Sequence, residues 1–348
     1  MALGFHALRV AAIDRLCPDA VAVTFDVPPD LRDRYAFRPG QSLTVRSGDD
    51  QRRTYSICSP AGSAPRIGVR EVPGGAISRW IVHDLRPGDL VEVAPPSGTF
   101  TPDLTAGGRH VLIAAGSGIT PVLSIAASLL RDPRAEVVLL YGNRRAGTVM
   151  FAEDLADLKD AYPDRFQVVH VLSRESREVE LFTGRLDGPR LRALLPLLVD
   201  VPAVDHWWLC GPFGMVTEAT AVLGESGVEP ARIHRELFWV DEAPPSVVRD
   251  ESGPSGPSSS VTVVLDGRST TVDVADGTAL LDGAQPARPD LPFACKGGVC
   301  GTCRARVVEG EVAMRRNFAL EAAEVEAGFV LTCQATALTP KVVIDFDQ

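Results

Sequence analysis

The sequence predicts a multidomain chain: an antiparallel β-barrel, then an α/β domain built on a parallel sheet, then a small cysteine-bearing domain. Three observations carry this. Short alternating apolar runs broken by Pro and Gly occupy the region before about position 105, and after it apolar strands alternate with helical patterns. A stretch rich in proline and serine, residues 241–260, then separates a C-terminal unit of 88 residues from the rest. A length of 348 residues suits two or three domains at roughly 100–200 residues each.

The expected domains are therefore 1–104, 105–240 and 261–348, with 241–260 as a flexible tether. In the first, the runs LRVAAI, AVAVTFDV, SLTVR, RTYSI, RIGVREV and LVEVAP read as barrel strands. In the second, HVLIAAG, TPVLSIAASLLRD, EVVLLYGN, a helix from about Phe151 and FQVVHVLS alternate as strand and helix, the mark of a parallel sheet with crossovers. In the third, Pro286 and Pro289 would shorten or interrupt any helix running through DGAQPARPDLP, because proline inside a helix removes a hydrogen bond and clashes with the preceding turn.

Composition narrows the function. The net charge is -10, from 35 basic and 45 acidic residues, so no basic surface for phosphate backbones is expected and no nucleic acid partner. The apolar runs fall far short of the roughly 18 residues of a spanning helix, so no membrane partner is expected, and the N-terminus lacks an export pattern. With seven cysteines, an odd number, four of them gathered near one end, the chain reads as cytoplasmic and as carrying a thiolate metal site, not a disulfide framework.

Cys295, Cys300 and Cys303 follow the spacing C-x4-C-x2-C, and Cys333 comes 29 residues further on. Four thiolates in this order hold a 2Fe-2S cluster in the plant-type pattern. The loop ACKGGVCGTC places Gly297, Gly298 and Gly301 where the backbone must wrap closely and aim amide N–H groups at sulfur. A structural zinc site is the alternative, but it usually pairs cysteines as C-x2-C twice, and only one such pair is present. The six histidines show no zinc or di-iron spacing; Cys17 and Cys58 read as inert, and Trp207 and Trp208 as strand packing.

In the barrel, RRTYSICS sets Arg53 and Tyr55 on one face of a strand, where a cation and an aromatic ring could meet a diphosphate and a flat ring together. Downstream, EVPGGAISRWI puts Gly74, Gly75 and Ser78 at the start of a helix, a place that favours anions. Separately these are an ordinary strand and a capped helix; together they point to FAD. In the α/β domain, AAGSGITP places Gly116, Gly118, Thr120 and Pro121 at a strand-to-helix turn of the pyrophosphate-cradling type, and LCGPFGM sets Cys210 and Gly211 at a second strand end on the same rim. Cys210 could equally be packing. Ser173 and Arg174 end the strand QVVHVLS and suit a 2′-phosphate, favouring NADPH; adjacent Glu175 would favour the free ribose, which leaves NADH possible.

With these residues in view, the first 240 positions resemble the ferredoxin-NADP reductase superfamily and the tail resembles plant-type ferredoxin, which implies an α+β domain of β-grasp type for 261–348. Within that group the chain is similar to the reductase subunits of bacterial phenylacetyl-CoA epoxidases, through FHALRV, FRPGQSLTVR, YGNRRAGTVMFAEDL, VLSRE, LFTGRL and the end from ACKGGVCGTC to VLTCQA. The resemblance implies that Arg53, Tyr55 and Ser56 bind FAD, that Gly75 and Ser78 hold its pyrophosphate, and that Phe238 covers the flavin. Gly116, Gly118, Thr120, Ser173, Arg174, Cys210 and Gly211 would then hold NADPH, with Ser56 and Cys210 as the catalytic pair. Cys295, Cys300, Cys303 and Cys333 would bind the cluster. Electrons would pass from NADPH through FAD and the cluster to the di-iron oxygenase component of a multicomponent oxygenase. Two other readings stay open: a reductase for a different oxygenase, such as a ring-hydroxylating dioxygenase or another monooxygenase, and a redox-sensing carrier without turnover.

Overall fold

The computed structural model describes residues 4–47, 51–239, 257–293, 296–299, 301–320 and 322–348. The described residues fall into two compact units, one of residues 7–43 and 55–238, the other of those within 4–6, 44–54 and 239–348.

Strands β1 (His6–Cys17), β2 (Ala20–Asp26), β3 (Ser42–Arg46), β4 (Arg52–Ser56), β5 (Arg66–Arg70) and β6 (Leu90–Val93) make one sheet in the order β4-β3-β6-β1-β2-β5, with helices α1 (Arg32–Tyr35) and α2 (Ala76–His83) between them. β1 with β2 and β2 with β5 pair antiparallel. Just beyond β4, Ile57 bridges antiparallel to Ile67 of β5, at the far edge, so the sheet curls into the expected barrel. Alternation explains the burial: Leu8, Val10, Leu43, Val45, Ile67 and Val69 point inward and are almost fully buried.

Strands β7 (Gly108–Ala115), β8 (Ala135–Asn143), β9 (Phe166–Leu172), β10 (His206–Pro212) and β11 (Ile233–Trp239) form a second sheet, in the order β11-β10-β7-β8-β9. Helices α3 (Ile119–Leu129), α4 (Ala152–Ala161), α5 (Gly188–Leu198) and α6 (Phe213–Glu225) connect them. β10–β7, β7–β8 and β8–β9 are parallel. The strand order reverses direction at β7, so the usual ligand position in such sheets lies beyond the carboxyl ends of β7 and β10. Trp207 and Trp208 are buried in β10, as strand packing requires.

The C-terminal part contains β12 (Ser258–Leu265), β13 (Arg268–Ala275), α7 (Leu280–Ala284), β14 (Arg304–Glu309), β15 (Val312–Met314), α8 (Ala322–Glu326), β16 (Phe329–Leu331), β17 (Ala335–Ala337) and β18 (Lys341–Asp345). The main sheet runs β13-β12-β18-β14-β16, and β15 pairs with β17. β12 and β18 are parallel, and Leu280 and Leu281 of α7 share a core with Val261, Val263 and Ile344. α7 ends at Ala284, two residues before Pro286. One boundary needs correction. The expected tether, 241–260, is strand at its end: Ser258–Ser260 pair with Asp273–Ala275, and Ser259 is buried, because alternation carries the pattern of β12 back into the serines. Residues 240–256 lie outside the described residues.

Candidate functional site

In the unit of residues 7–43 and 55–238, two expected residues and one unexpected one converge. Ser56 ends β4, Cys210 lies near the end of β10, and Glu236 lies in β11. The Cys210 thiol stands 3.9 Å from Glu236 Oε2, and Ser56 lies near enough to the same carboxyl to favour its ionised form. Burial pushes the Glu236 pKa up to about 8, with the Cys210 and Ser56 hydrogen bonds holding it down only in part. Burial, reinforced by the Glu236 charge, also raises the Cys210 pKa well above its ordinary value. Cys210 therefore stays a neutral thiol, neither nucleophile nor acid, while Glu236 can hold or release a proton near neutrality. Sequence reasoning missed Glu236; its one signal is its place two positions from Phe238, on the same strand face. Phe238 is half-buried and packs against the core of the α/β domain, with Cys210 in the same cluster. Tyr55, next to Ser56 in β4, is half-buried as well.

Gly75 is the N-cap of α2, and no side chain caps that helix, so its first amides are left for an external acceptor. A Cβ at Gly75 would strike Ser78 Oγ at 2.6 Å. The buried Ser78 hydroxyl donates to Gly75 O (3.1 Å) and accepts from Val72 N (3.1 Å), so it shapes the turn and keeps one lone pair in reserve. At the sheet rim, Gly116 adopts φ +56° and Gly118 is the uncapped N-terminus of α3. A Cβ at Gly118 would collide with Cys210 O and approach Gly211, so that glycine lets the two rim turns pack together. Buried Thr120 donates to Ser117 O at 2.9 Å. Two glycine turns, each leading into an uncapped helix, fit the two diphosphates of a flavin and a nicotinamide dinucleotide.

Ser173 and Arg174 lie beyond β9, joined by backbone hydrogen bonds to Asn143 O (2.9 Å) and Arg144 O (2.8 Å). Arg144, Arg174 and Arg177 are exposed and make no ion pair among the described residues. Glu175 is engaged elsewhere: its Oε2 accepts from Ala146 N at 2.9 Å and so belongs to the neighbouring turn.

In the other unit, Arg53 Nη1 donates to Arg52 O (2.6 Å) and Phe293 O (3.2 Å), and its guanidinium lies 4.0 Å from the Phe293 ring centre. Of the expected cluster ligands, Cys303 and Cys333 are buried in one core and form no disulfide, whereas Cys295 and Cys300 lie outside the described residues. Thr332 ties the two described ligand segments together, its N (3.1 Å) and Oγ1 (3.0 Å) both donating to Cys303 O. Gly298 (φ +80°) and Gly301 (φ +65°) occupy the left-handed region in the loop, and buried Lys296 holds that loop to Asp282 and Gln285, each at 2.7 Å. Buried cysteines beside a loop whose glycines turn the backbone this tightly fit an iron-sulfur centre.

Comparison with known proteins agrees with these fits. Residues 7–101 match an oxidoreductase FAD-binding domain, 112–221 an oxidoreductase NAD-binding domain and 263–338 a 2Fe-2S iron-sulfur cluster binding domain. The chain is 41% identical to one of the subunits of 1,2-phenylacetyl-CoA epoxidase from Escherichia coli (strain K12), over 99% of this chain and 98% of that protein. It is 34% identical to the ferredoxin reductase component of 3-ketosteroid-9-alpha-monooxygenase from Rhodococcus rhodochrous, over 97% and 96%. Among solved structures, phthalate dioxygenase reductase shares the fold, with a TM-score of 0.64 at 22% identity over 99% of this chain and 98% of that one. No helix among the described residues is long and apolar enough to cross a membrane. The chain belongs to the ferredoxin-NADP reductase-type oxidoreductases that serve oxygenases, with FAD-binding, NAD-binding and 2Fe-2S domains in one polypeptide.

Proposed function

We propose that this protein is the reductase of a phenylacetyl-CoA epoxidase, taking electrons from NADPH and passing them through FAD and the 2Fe-2S centre to a di-iron oxygenase component in the cytoplasm. The observation that carries it is the 41% identity to a phenylacetyl-CoA epoxidase component, sustained over nearly the whole of both chains. We divide the work along residues 1–104 for FAD, 105–240 for the nucleotide and 261–348 for the cluster.

Each residue then has a task. Arg53 and Tyr55 face the flavin's diphosphate and ring, and the α2 N-terminus with Gly75 and Ser78 holds the pyrophosphate. Gly116, Gly118, Thr120 and Gly211 let the nucleotide lie across the rim of the parallel sheet. Ser56 and Cys210, as the catalytic pair, wall the point where nicotinamide and flavin meet, and Phe238 shields it from water. Glu236, beside Cys210, holds a proton near that point until about pH 8. The flavin, when bound, supplies the conversion of a two-electron hydride into single electrons. The cluster ligands are Cys295, Cys300, Cys303 and Cys333. NADPH is favoured over NADH because Arg174 and its neighbours Arg144 and Arg177 are exposed, while Glu175 is held to the neighbouring turn by its hydrogen bond from Ala146 N.

The test is NADPH consumption by the loaded protein mixed with a phenylacetyl-CoA oxygenase component under air, with and without phenylacetyl-CoA. Consumption that depends on all components and yields oxygenated thioester is expected. Reduction of cytochrome c with an idle oxygenase would refute the epoxidase assignment and move the partner to another oxygenase.

A further inference from the structure

Gln334 directly follows Cys333, and its side chain is buried (6% exposed) within the cluster-binding fold. Its Nε2 donates to Lys296 O at 2.8 Å and to Cys333 O at 2.9 Å, and lies 3.6 Å from Cys333 Sγ. Its backbone carbonyl accepts from Arg315 N at 3.0 Å. One residue thus joins three segments: the cysteine-rich loop at Lys296, the ligand Cys333 and the end of β15. The amide orientation follows from its partners, since turning it over would set Oε1 against two carbonyl oxygens. Gly298 is fitted to the same side chain, for a Cβ there would stand 2.9 Å from Gln334 Cγ.

We infer that Gln334 is a positioning residue for electron transfer, donating an N–H to the Cys333 sulfur and so stabilising the reduced cluster. The argument is electrostatic. Reduction adds negative charge that spreads onto the ligand sulfurs, and a donor aimed at one of them favours the more negative state, raising the reduction potential. Nε2 carries two hydrogens for three acceptors, so one is shared between Cys333 O and Sγ, and charge on the sulfur draws it towards Sγ. The inference rests on Cys333 being a cluster ligand, and not on which oxygenase is served.

The test uses the full-length, cluster-loaded protein with 15N in its glutamine side-chain amides. In the reduced state, pulsed EPR is expected to show a 15N coupling that Gln334→Met removes. A dye-linked potential titration of the same variant is expected to give a more negative midpoint, with the reduced-to-oxidised ratio at fixed potential falling about 2- to 10-fold, the net worth of one hydrogen bond. A loaded wild-type protein without the coupling would overturn the inference alone, as would an unchanged midpoint in a fully loaded variant. If Gln334→Met loses its cluster, the wild-type spectrum still decides. A wild-type protein lacking iron and acid-labile sulfide would overturn the ligand assignment, and the inference with it.

Discussion

Replacing Glu236 by Gln removes an ionisable group and keeps its size and shape. The wild-type carboxyl ionises at about 8 in the folded protein against an ordinary 4.5, so between those values the folded state holds a proton that the unfolded state has released. Stability must then fall as pH rises through that window. Between pH 6 and pH 9 this one group costs the full-strength value of about 3 kcal/mol, and roughly 1–3 kcal/mol once water reaching the half-buried side chain is allowed for. Urea unfolding of both proteins at pH 6 and pH 9 measures it: the wild type should lose that much more than Glu236→Gln. Parallel losses in the two proteins would refute a proton held at this site. The same proton should appear in catalysis. Flavin reduction by NADPH in the wild type is expected to change with an apparent pKa near 8, and Glu236→Gln to give a flat profile from about pH 6.5 to 9.

Gly118→Ala drives a methyl group into Cys210 O, and overpacking of this kind costs about 1–3 kcal/mol; the urea midpoint should drop and NADPH affinity fall with it, and an unchanged midpoint would contradict the close approach. Arg174→Ala should raise the KM for NADPH about tenfold, the worth of one charge-assisted contact, and leave that for NADH nearly unaltered; equal changes for both would remove Arg174 from the 2′-phosphate. His234 stacks on Trp208 with ring centres 4.0 Å apart and meets His206 at 3.2 Å, and burial together with His206 and His110 lowers its pKa to about 4. Because the unfolded chain accepts this proton first as pH falls from 6.5 towards 4, the wild type should lose roughly 1–2 kcal/mol by pH 5. His234→Phe keeps the stacking and should lose less over about pH 7 to 5 in urea titrations.

What can be read from the sequence is whatever repeats at short range. Alternation along LRVAAI or AVAVTFDV gives strands, the change to strand-and-helix texture gives the parallel sheet, and C-x4-C-x2-C gives the cluster, because each pattern lies within a few residues. The serines at 258–260 read as tether because polar composition masks a period of two that continues β12.

Glu236, Gln334 and the occupation of Glu175 are illegible for a different reason. Each owes its role to a partner brought close by topology: Glu236 to Ser56 and Cys210 from two other strands, Gln334 to Lys296, 38 positions earlier, and Glu175 to Ala146, 29 positions earlier. A carboxylate beside Ser173 and Arg174 reads in sequence as repulsion of a phosphate. In the fold the same carboxylate is tied to a backbone amide of the neighbouring turn, which fixes where its charge sits while the arginines stay exposed. Charge near a motif therefore decides nucleotide preference only after the hydrogen bonds of that charge have been traced, and Arg174→Ala together with Glu175→Gln separates the two contributions. If Glu175 serves only the Ala146 turn, Glu175→Gln should leave the ratio of NADPH to NADH use within about twofold, since a surface substitution away from the ligand alters energies by no more than about 0.5 kcal/mol.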